Sequence, residues 1–419
     1  MKNRVLAAGA AVLVSTVALG GCGYLPGLGG PGGKTVTIWL MKDSVSADFL
    51  ERFKKSYEEE HPSIELEFKI QSWSGIGPKV TAALQGDDTP DVIEVGNTQV
   101  AQYAESGELR DLTLESMRDL GSEEWLPGLA DPGSIDGVQY GIPWYAANRV
   151  VIYNKDLFEQ AGIKSPPKTR DEWIEDSRLL NRNGNQGIFL AGQNWYVLAG
   201  FIWDEGGDLA TDRGGDWEGS LDTPAAIKGM NFYKEIQSFG SGPKNADEEH
   251  PPQTDVFARG DVAQIISVPG SAKLIEQKNP ELKGKIGYFP IPGKTAKNPG
   301  SVFTGGSDLI VPEKADNGMA GIEVIEALAG AKWQADLART MSYVPNKTSL
   351  AHVIEGQEGT AAMAEGARRG RATPNSPQWA AVEAENPIKP YMSAVLQGGD
   401  PLAEAKSASE RITAELAGS

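Results

Sequence analysis

From residue 34 to residue 106 the chain alternates strand-type and helix-type hydrophobic patterns, and this rhythm restricts the fold more than any other feature. Val36 to Leu40 reads as a buried strand. Val45 to Glu60 follows as an amphipathic helix with Phe49, Phe53 and Tyr57 four residues apart. His61-Pro62 stops that helix, and the alternation of Ile64 to Ile70 predicts a second strand. Lys79 to Gln85 is helical, Asp91 to Val95 is a third strand, and a further helix runs near Thr98 to Ser106. Strands separated by helices imply parallel pairing in an α/β layer. In such sheets ligands bind outside the carboxyl ends of the strands. That directs attention to Lys42-Asp43, to Ser72-Trp73 and to Glu94 through Asn97.

The rhythm resumes with a strand at Val150 to Tyr153 and a helix around Asp156 to Ala161. A helix opening at Thr169 carries a T-x-x-E cap. Gly206 to Gly219 is rich in glycine and aspartate and reads as a loop. At 419 residues, two domains are expected. Hydrophobic residues at 40% and charged residues at 23% suffice for a sizeable core.

The N-terminus obeys different rules. Lys2 and Arg4 precede an apolar run from Val5 to Leu19 and then Gly20-Gly21-Cys22, the three parts of an export signal. The run is too short to span a bilayer as a mature helix. Leu19 to Cys22 matches the bacterial lipobox, in which the cysteine thiol is diacylated and the preceding residues removed. Cys22 is the only cysteine, so it has no disulfide partner. Two acyl chains give stable anchoring where one is marginal. Residues 1–21 are therefore read as the lipoprotein signal, and residues 22–33, rich in glycine and proline, as a flexible tether. Losing Lys2 and Arg4 takes the net charge from −18 to −20, which argues against nucleic acid or an anionic lipid surface as partner.

The chain resembles the family-1 extracellular solute-binding proteins of bacterial ABC sugar transporters. The motifs that carry the resemblance are Gly141-Ile-Pro, Tyr153 through Ile163, Pro166 to Thr169 and Glu172-Trp173. Thr89 to Val92, Phe257 to Ala263, Phe289 to Gly293, Gly305 to Ser307 and Tyr343 to Asn346 follow in family order from about residue 35 to 415. Glu94 to Tyr103 and Ala191 to Tyr196 are similar to the actinobacterial branch that takes up N,N′-diacetylchitobiose or N-acetylglucosamine. The resemblance implies a two-lobe α/β periplasmic-binding-protein-like fold, with a hinge and a ligand cleft between the lobes. It places residues 34–145 with 306–342 in an N-terminal lobe and 146–305 with 343–419 in a C-terminal lobe. The crossings fall near Tyr145 to Arg149, Phe303 to Ser307 and Ser342 to Pro345. It further implies a sugar ligand, permease subunits as membrane partners, a monomer, and no cofactor or metal. Many relatives carry a sugar-stacking tryptophan in the loop after Phe257 to Ala263; here that loop reads Val268-Pro-Gly-Ser271, so stacking surface must come from elsewhere.

A pyranose presents apolar faces and a rim of hydroxyls, so its site needs flat aromatic surfaces edged by donors and acceptors. Among ten tryptophans, Trp73, Trp144, Trp195, Trp203 and Trp379 fall on expected cleft segments, whereas Trp39, Trp173 and Trp333 read as core. The hydrogen-bonding candidates are Glu94, Asn97, Asn148, Asn194, Asp204, Asp308 and Asn375. Other chemistries find little support. A glycoside hydrolase needs two carboxylates across the cleavage point, and none of the acids stands in a recognisable catalytic context. No G-x-S-x-G occurs, and His61, His250 and His352 sit in no ligand pattern. A polyamine, iron complex or peptide fits a tryptophan-rich chain less well than a sugar. The best expectation is a β-1,4-linked N-acetylglucosamine disaccharide, with cellobiose or another neutral disaccharide as alternative.

Overall fold

The computed structural model describes residues 33–418 except Asp43 and Ser74. The export signal, Cys22 and all of the tether but Gly33 lie outside the described residues. The N-terminal half begins β1 (Lys34–Met41), helix Ala47–Glu60, β2 (Ile64–Gln71), helix Ile76–Gln85 and β3 (Val92–Gly96). Each element forms for a local reason. Ser46 caps the first helix by accepting from the Phe49 amide, and Phe49, Phe53 and Tyr57 give that helix one buried stripe. Within β1 the alternate residues Val36, Ile38 and Leu40 are all fully buried beneath it. Phe53 meets Trp333 edge to face at 5.0 Å, tying helix Ala331–Met341 to the same layer. Met41, Ile93, Val95 and Ile310 point to the sheet's other face and pack with Ile76, Val80 and Tyr103.

The chain leaves this lobe through β4 (Gly141–Asn148), which after Arg149 continues as β5 (Val150–Asn154). β6 (Gln264–Ser267) and β7 (Ile286–Phe289) flank β5 on either side, antiparallel to it. Helix Trp195–Asp204 and the C-terminal helices pack this second lobe. The capping box on helix Arg170–Leu180 is present as expected, with Thr169 and Glu172 satisfying one another's backbone amides. β8 (Val302–Ile310) returns to the first lobe, and β9 (Val344–Pro345) leaves it again.

The large sheet has the order β9-β4-β8-β3-β1-β2, with β1 parallel to β2 and to β3 and the remaining neighbours antiparallel. The three crossing segments are thus adjacent strands of one ladder: Thr304 pairs with Asn148, Ser307 with Tyr145, Val344 with Ala146 and Pro345 with Tyr145. Ser342, just before β9, adopts φ 59°, a left-handed conformation that a non-glycine residue takes at a cost. One sequence expectation is corrected. Gly206 to Gly219 is not all loop, because Ala210–Asp212 pairs with Trp217–Gly219 in a hairpin. Its turn uses Gly214 and Gly215 at positive φ, with the Asp212 carboxylate accepting from both amides.

Candidate functional site

At the carboxyl ends of β1 and β3 a buried polar cluster forms around Glu94. One carboxylate oxygen accepts from the Met41 amide at 2.7 Å and the other from the Tyr145 hydroxyl at 3.0 Å. Ser44 Oγ and Ser307 Oγ each lie 3.0 Å from that same hydroxyl. Burial raises the Glu94 carboxyl, and the hydrogen bonds it accepts oppose the shift. Burial, with the Glu94 charge next, pushes the Tyr145 hydroxyl well above its ordinary value, so it stays protonated and donates. The Tyr145 ring stacks on Tyr343 at 4.1 Å with planes 7° apart. Tyr145 of the first crossing thus links Glu94 of β3, Ser44 just after β1, Ser307 of β8 and Tyr343 just before β9 through one side chain.

Beside this cluster the lobes face each other. Asn97, Thr98, Asp131 and Pro132 of the first lobe and Ala372 to Ser376 of the second enclose a cavity of about 60 Å³. Thr98 reaches across to Glu383 at 3.1 Å, and the Gln378 amide donates to Glu105 at 3.3 Å. Just after β4, Arg149 lies over the Tyr196 ring at 4.9 Å and pairs with Glu248 at 2.7 Å, while Tyr196 stacks on Phe303 at 4.3 Å. Larger open hollows of up to about 540 Å³ lie on the outside of the second lobe and are lined by charged side chains and surface loops.

The structure brings together some of the expected site residues and separates others. Glu94 belongs to the polar cluster. Asn97 lines the cavity, with its amide 3.4 Å from the Thr304 carbonyl, and Asn375 is exposed on the opposite wall. Trp73 stands 42% exposed after β2. Trp144 is 0% exposed among Phe49, Leu309 and Trp333 of the first-lobe core; it is the extra residue where the register shifts between Ser307 and Asp308, and its ring lies 5.4 Å from that of Tyr145 in the same cluster. Trp195, Trp203 and Trp379 all pack in the second-lobe core. The Trp203 indole donates to Asp208 at 3.0 Å and the Trp379 indole to Glu383 at 3.0 Å. These rings offer the cleft no free face.

Asn148 is buried at the hinge and donates to the Met363 carbonyl at 3.0 Å, a structural tether rather than a free amide. Asn194 is buried at the start of helix Trp195–Asp204 and its side-chain amide has no hydrogen-bond partner. Asp204 is held by Arg170 and Arg369 in a buried ion network. Asp308 is 0% exposed on the apolar side of the sheet, and neither oxygen has a hydrogen-bond partner. Burial pushes its carboxyl well above the ordinary range. Tyr145, Thr98, Tyr343, Tyr196 and Glu383 escaped the reading of the sequence. Gly141–Asn148 is buried almost throughout, so no alternation singles out Tyr145, whereas the i, i+4 spacing from Trp379 was an available signal for Glu383.

Two α/β lobes, three side-by-side chain crossings and polar groups gathered where the lobes meet define a cleft-type receptor for a small solute. Residues 40–335 match the model of the family described as bacterial extracellular solute-binding protein, and the chain belongs to that family. It is 36% identical to the diacetylchitobiose binding protein DasA of Streptomyces coelicolor over 425 aligned residues, which span 100% of this chain and 99% of that protein. A maltooligosaccharide ABC transporter solute-binding lipoprotein of Streptococcus pneumoniae is 23% identical over 83% of this chain and 81% of its own. The GacH receptor of Streptomyces glaucescens, solved unliganded and with acarbose, superposes with a TM-score of 0.81 at 22% identity, covering 92% of this chain and 99% of that one. The sugar-binding protein MalE of Xanthomonas citri gives 0.80 at 22% identity over 92% and 98%. At such identities these structures show the fold, that of two-lobe sugar-binding proteins. No helix among the described residues is long and apolar enough to cross a membrane.

Proposed function

We propose that the chain is the sugar-capturing component of an ABC importer, held on the extracytoplasmic face of the membrane by lipid on Cys22, and that its ligand is N,N′-diacetylchitobiose. The observation that carries the reading is the full-length similarity to a diacetylchitobiose binding protein. The geometry supports it. The first lobe offers Asn97, Thr98 and, in the Glu94 cluster, Ser44 and Tyr145, and the second offers Thr373, Asn375 and Ser376 across the cleft. Such amides and hydroxyls pair with sugar hydroxyls and acetamide groups. Trp73 and Tyr343 supply the ring surfaces for the sugar's apolar faces. Pockets that hold small molecules are about 300–1,000 Å³, far above the roughly 60 Å³ between the lobes. A disaccharide therefore enters only when the lobes part at the three-strand hinge.

Mono- and disaccharides screened by thermal shift test the ligand class, since a ligand that binds the folded state alone raises apparent stability by mass action. Diacetylchitobiose is expected to give the largest shift. A panel in which no sugar moves the transition would overturn the reading. Cys22→Ser is expected to abolish lipid attachment, leaving protein unprocessed or shed into the medium.

A further inference from the structure

We propose that Glu383 is a proton-coupled latch between the lobes: its carboxyl group joins the second-lobe indole of Trp379 to the first-lobe hydroxyl of Thr98, so that closing the cleft and taking up a proton at this side chain are linked. The inference rests on the binding-protein reading of the cleft. One carboxyl oxygen of Glu383 accepts from Trp379 Nε1 at 3.0 Å and the other from Thr98 Oγ1 at 3.1 Å. Trp379 is itself fully buried, so the second-lobe end of the latch is fixed. Thr98 belongs to the same turn as Asn97, on one wall of the cavity, while residues 372–376 leading into helix Trp379–Glu385 form the other wall. The latch thus sits at the rim of the space the sugar would enter.

No cation pairs with Glu383 among the described residues. From the first lobe its contact is the Thr98 hydroxyl; Glu105 accepts from Gln378, just before the Glu383 helix, and Asp131 lines the cavity wall beside Thr98. From the second lobe it is faced by Tyr196, with Arg149 beyond that ring already committed to Glu248. Glu385 is the other acid of its own helix. With its partial burial uncompensated by a positive charge, the carboxyl is pushed up to about 7 from an ordinary value of 4.5. Parting the lobes withdraws Thr98 and admits water, which returns the group toward its ordinary value.

The sign follows from linkage. A group raised in the closed state favours closure when protonated, so closure is fully supported below the ordinary value and loses that support as pH rises through about 7. The protonated carboxyl keeps both contacts, its bare oxygen accepting from the indole while its O–H donates to Thr98 Oγ1.

The test is small-angle scattering of the ligand-free full chain at pH 5.5 and pH 8, for the wild type and for Glu383→Gln, a neutral mimic of the protonated acid. It is joined by calorimetry with N,N′-diacetylchitobiose at pH 6.5 in buffers of different ionisation enthalpy. The wild type should be more compact at pH 5.5 than at pH 8, and Glu383→Gln equally compact at both. Sugar binding should take up about half to one proton per site in the wild type and none in the variant. A wild-type radius of gyration that is the same at both pH values, or a variant that keeps the pH response, overturns the latch. If the radius responds as expected but diacetylchitobiose does not bind, the ligand assignment falls and the latch stands.

Discussion

Tyr145 and Tyr343 stack face to face at 4.1 Å, and this one contact joins the strand that leaves the first lobe to the segment that crosses at the far end of the chain. The same tyrosine closes the Glu94 cluster through its hydroxyl. Ring and hydroxyl therefore do separable work, one holding the crossings together and the other satisfying a buried carboxylate.

Tyr145→Phe keeps the ring and removes the donor to Glu94. A buried acceptor left short of a partner costs about 1–3 kcal/mol, and denaturant unfolding should report a loss of that order. Unchanged stability would mean that the hydroxyl contributes nothing to the cluster.

Asp308 makes the opposite kind of prediction. Its carboxyl is raised by burial in the folded chain, so its ionisation opposes folding. The stability it permits is full below the ordinary value of 3.8 and is lost as pH rises toward the folded value, by up to about 1.4 kcal/mol per pH unit. Asp308→Asn should flatten the fall in melting temperature between pH 4 and pH 7 and leave the variant more stable than the wild type at neutral pH. A variant less stable at pH 7 would show that the carboxylate has a partner worth more than its burial costs.

Trp379→Ala removes a fully buried ring from the second-lobe core. Such truncations cost about 3–5 kcal/mol, and urea unfolding should show it. An unaltered unfolding midpoint with a large loss of sugar affinity would move the ring from the core to the site.

The strand–helix rhythm from Val36 to Val95 was legible because Phe49, Phe53 and Tyr57 sit on one helical stripe and Val36, Ile38 and Leu40 on one strand face, and local periodicity carries that information. The parallel pairing of β1 with β2 and β3 followed from the intervening helices. The antiparallel return of β8 between β3 and β4 depends on pairing across more than 150 residues, and no local pattern encodes it. Position after a strand located Glu94 in the buried polar cluster and Asn97 on the cavity wall. Residue type misled for Trp144, Trp195, Trp203 and Trp379: a large flat ring suits a sugar, but it suits a core equally. Asp308 looked like a rim acceptor, yet pairing opposite Val95 and Pro143 turns it into the apolar layer. Thr98 and Glu383 meet only because two lobes do, a contact that neither segment announces alone.

The central claim is that the cleft takes an N-acetylglucosamine disaccharide, and calorimetric titration with N,N′-diacetylchitobiose and with cellobiose tests it most directly. A site that hydrogen-bonds the acetamide leaves those groups unpaired when cellobiose enters, which supports discrimination of up to about 10⁴-fold. The prediction is tight 1:1 binding of diacetylchitobiose and cellobiose binding at least a hundredfold weaker. Equal affinities for the two sugars, or no heat from either, would contradict the claim.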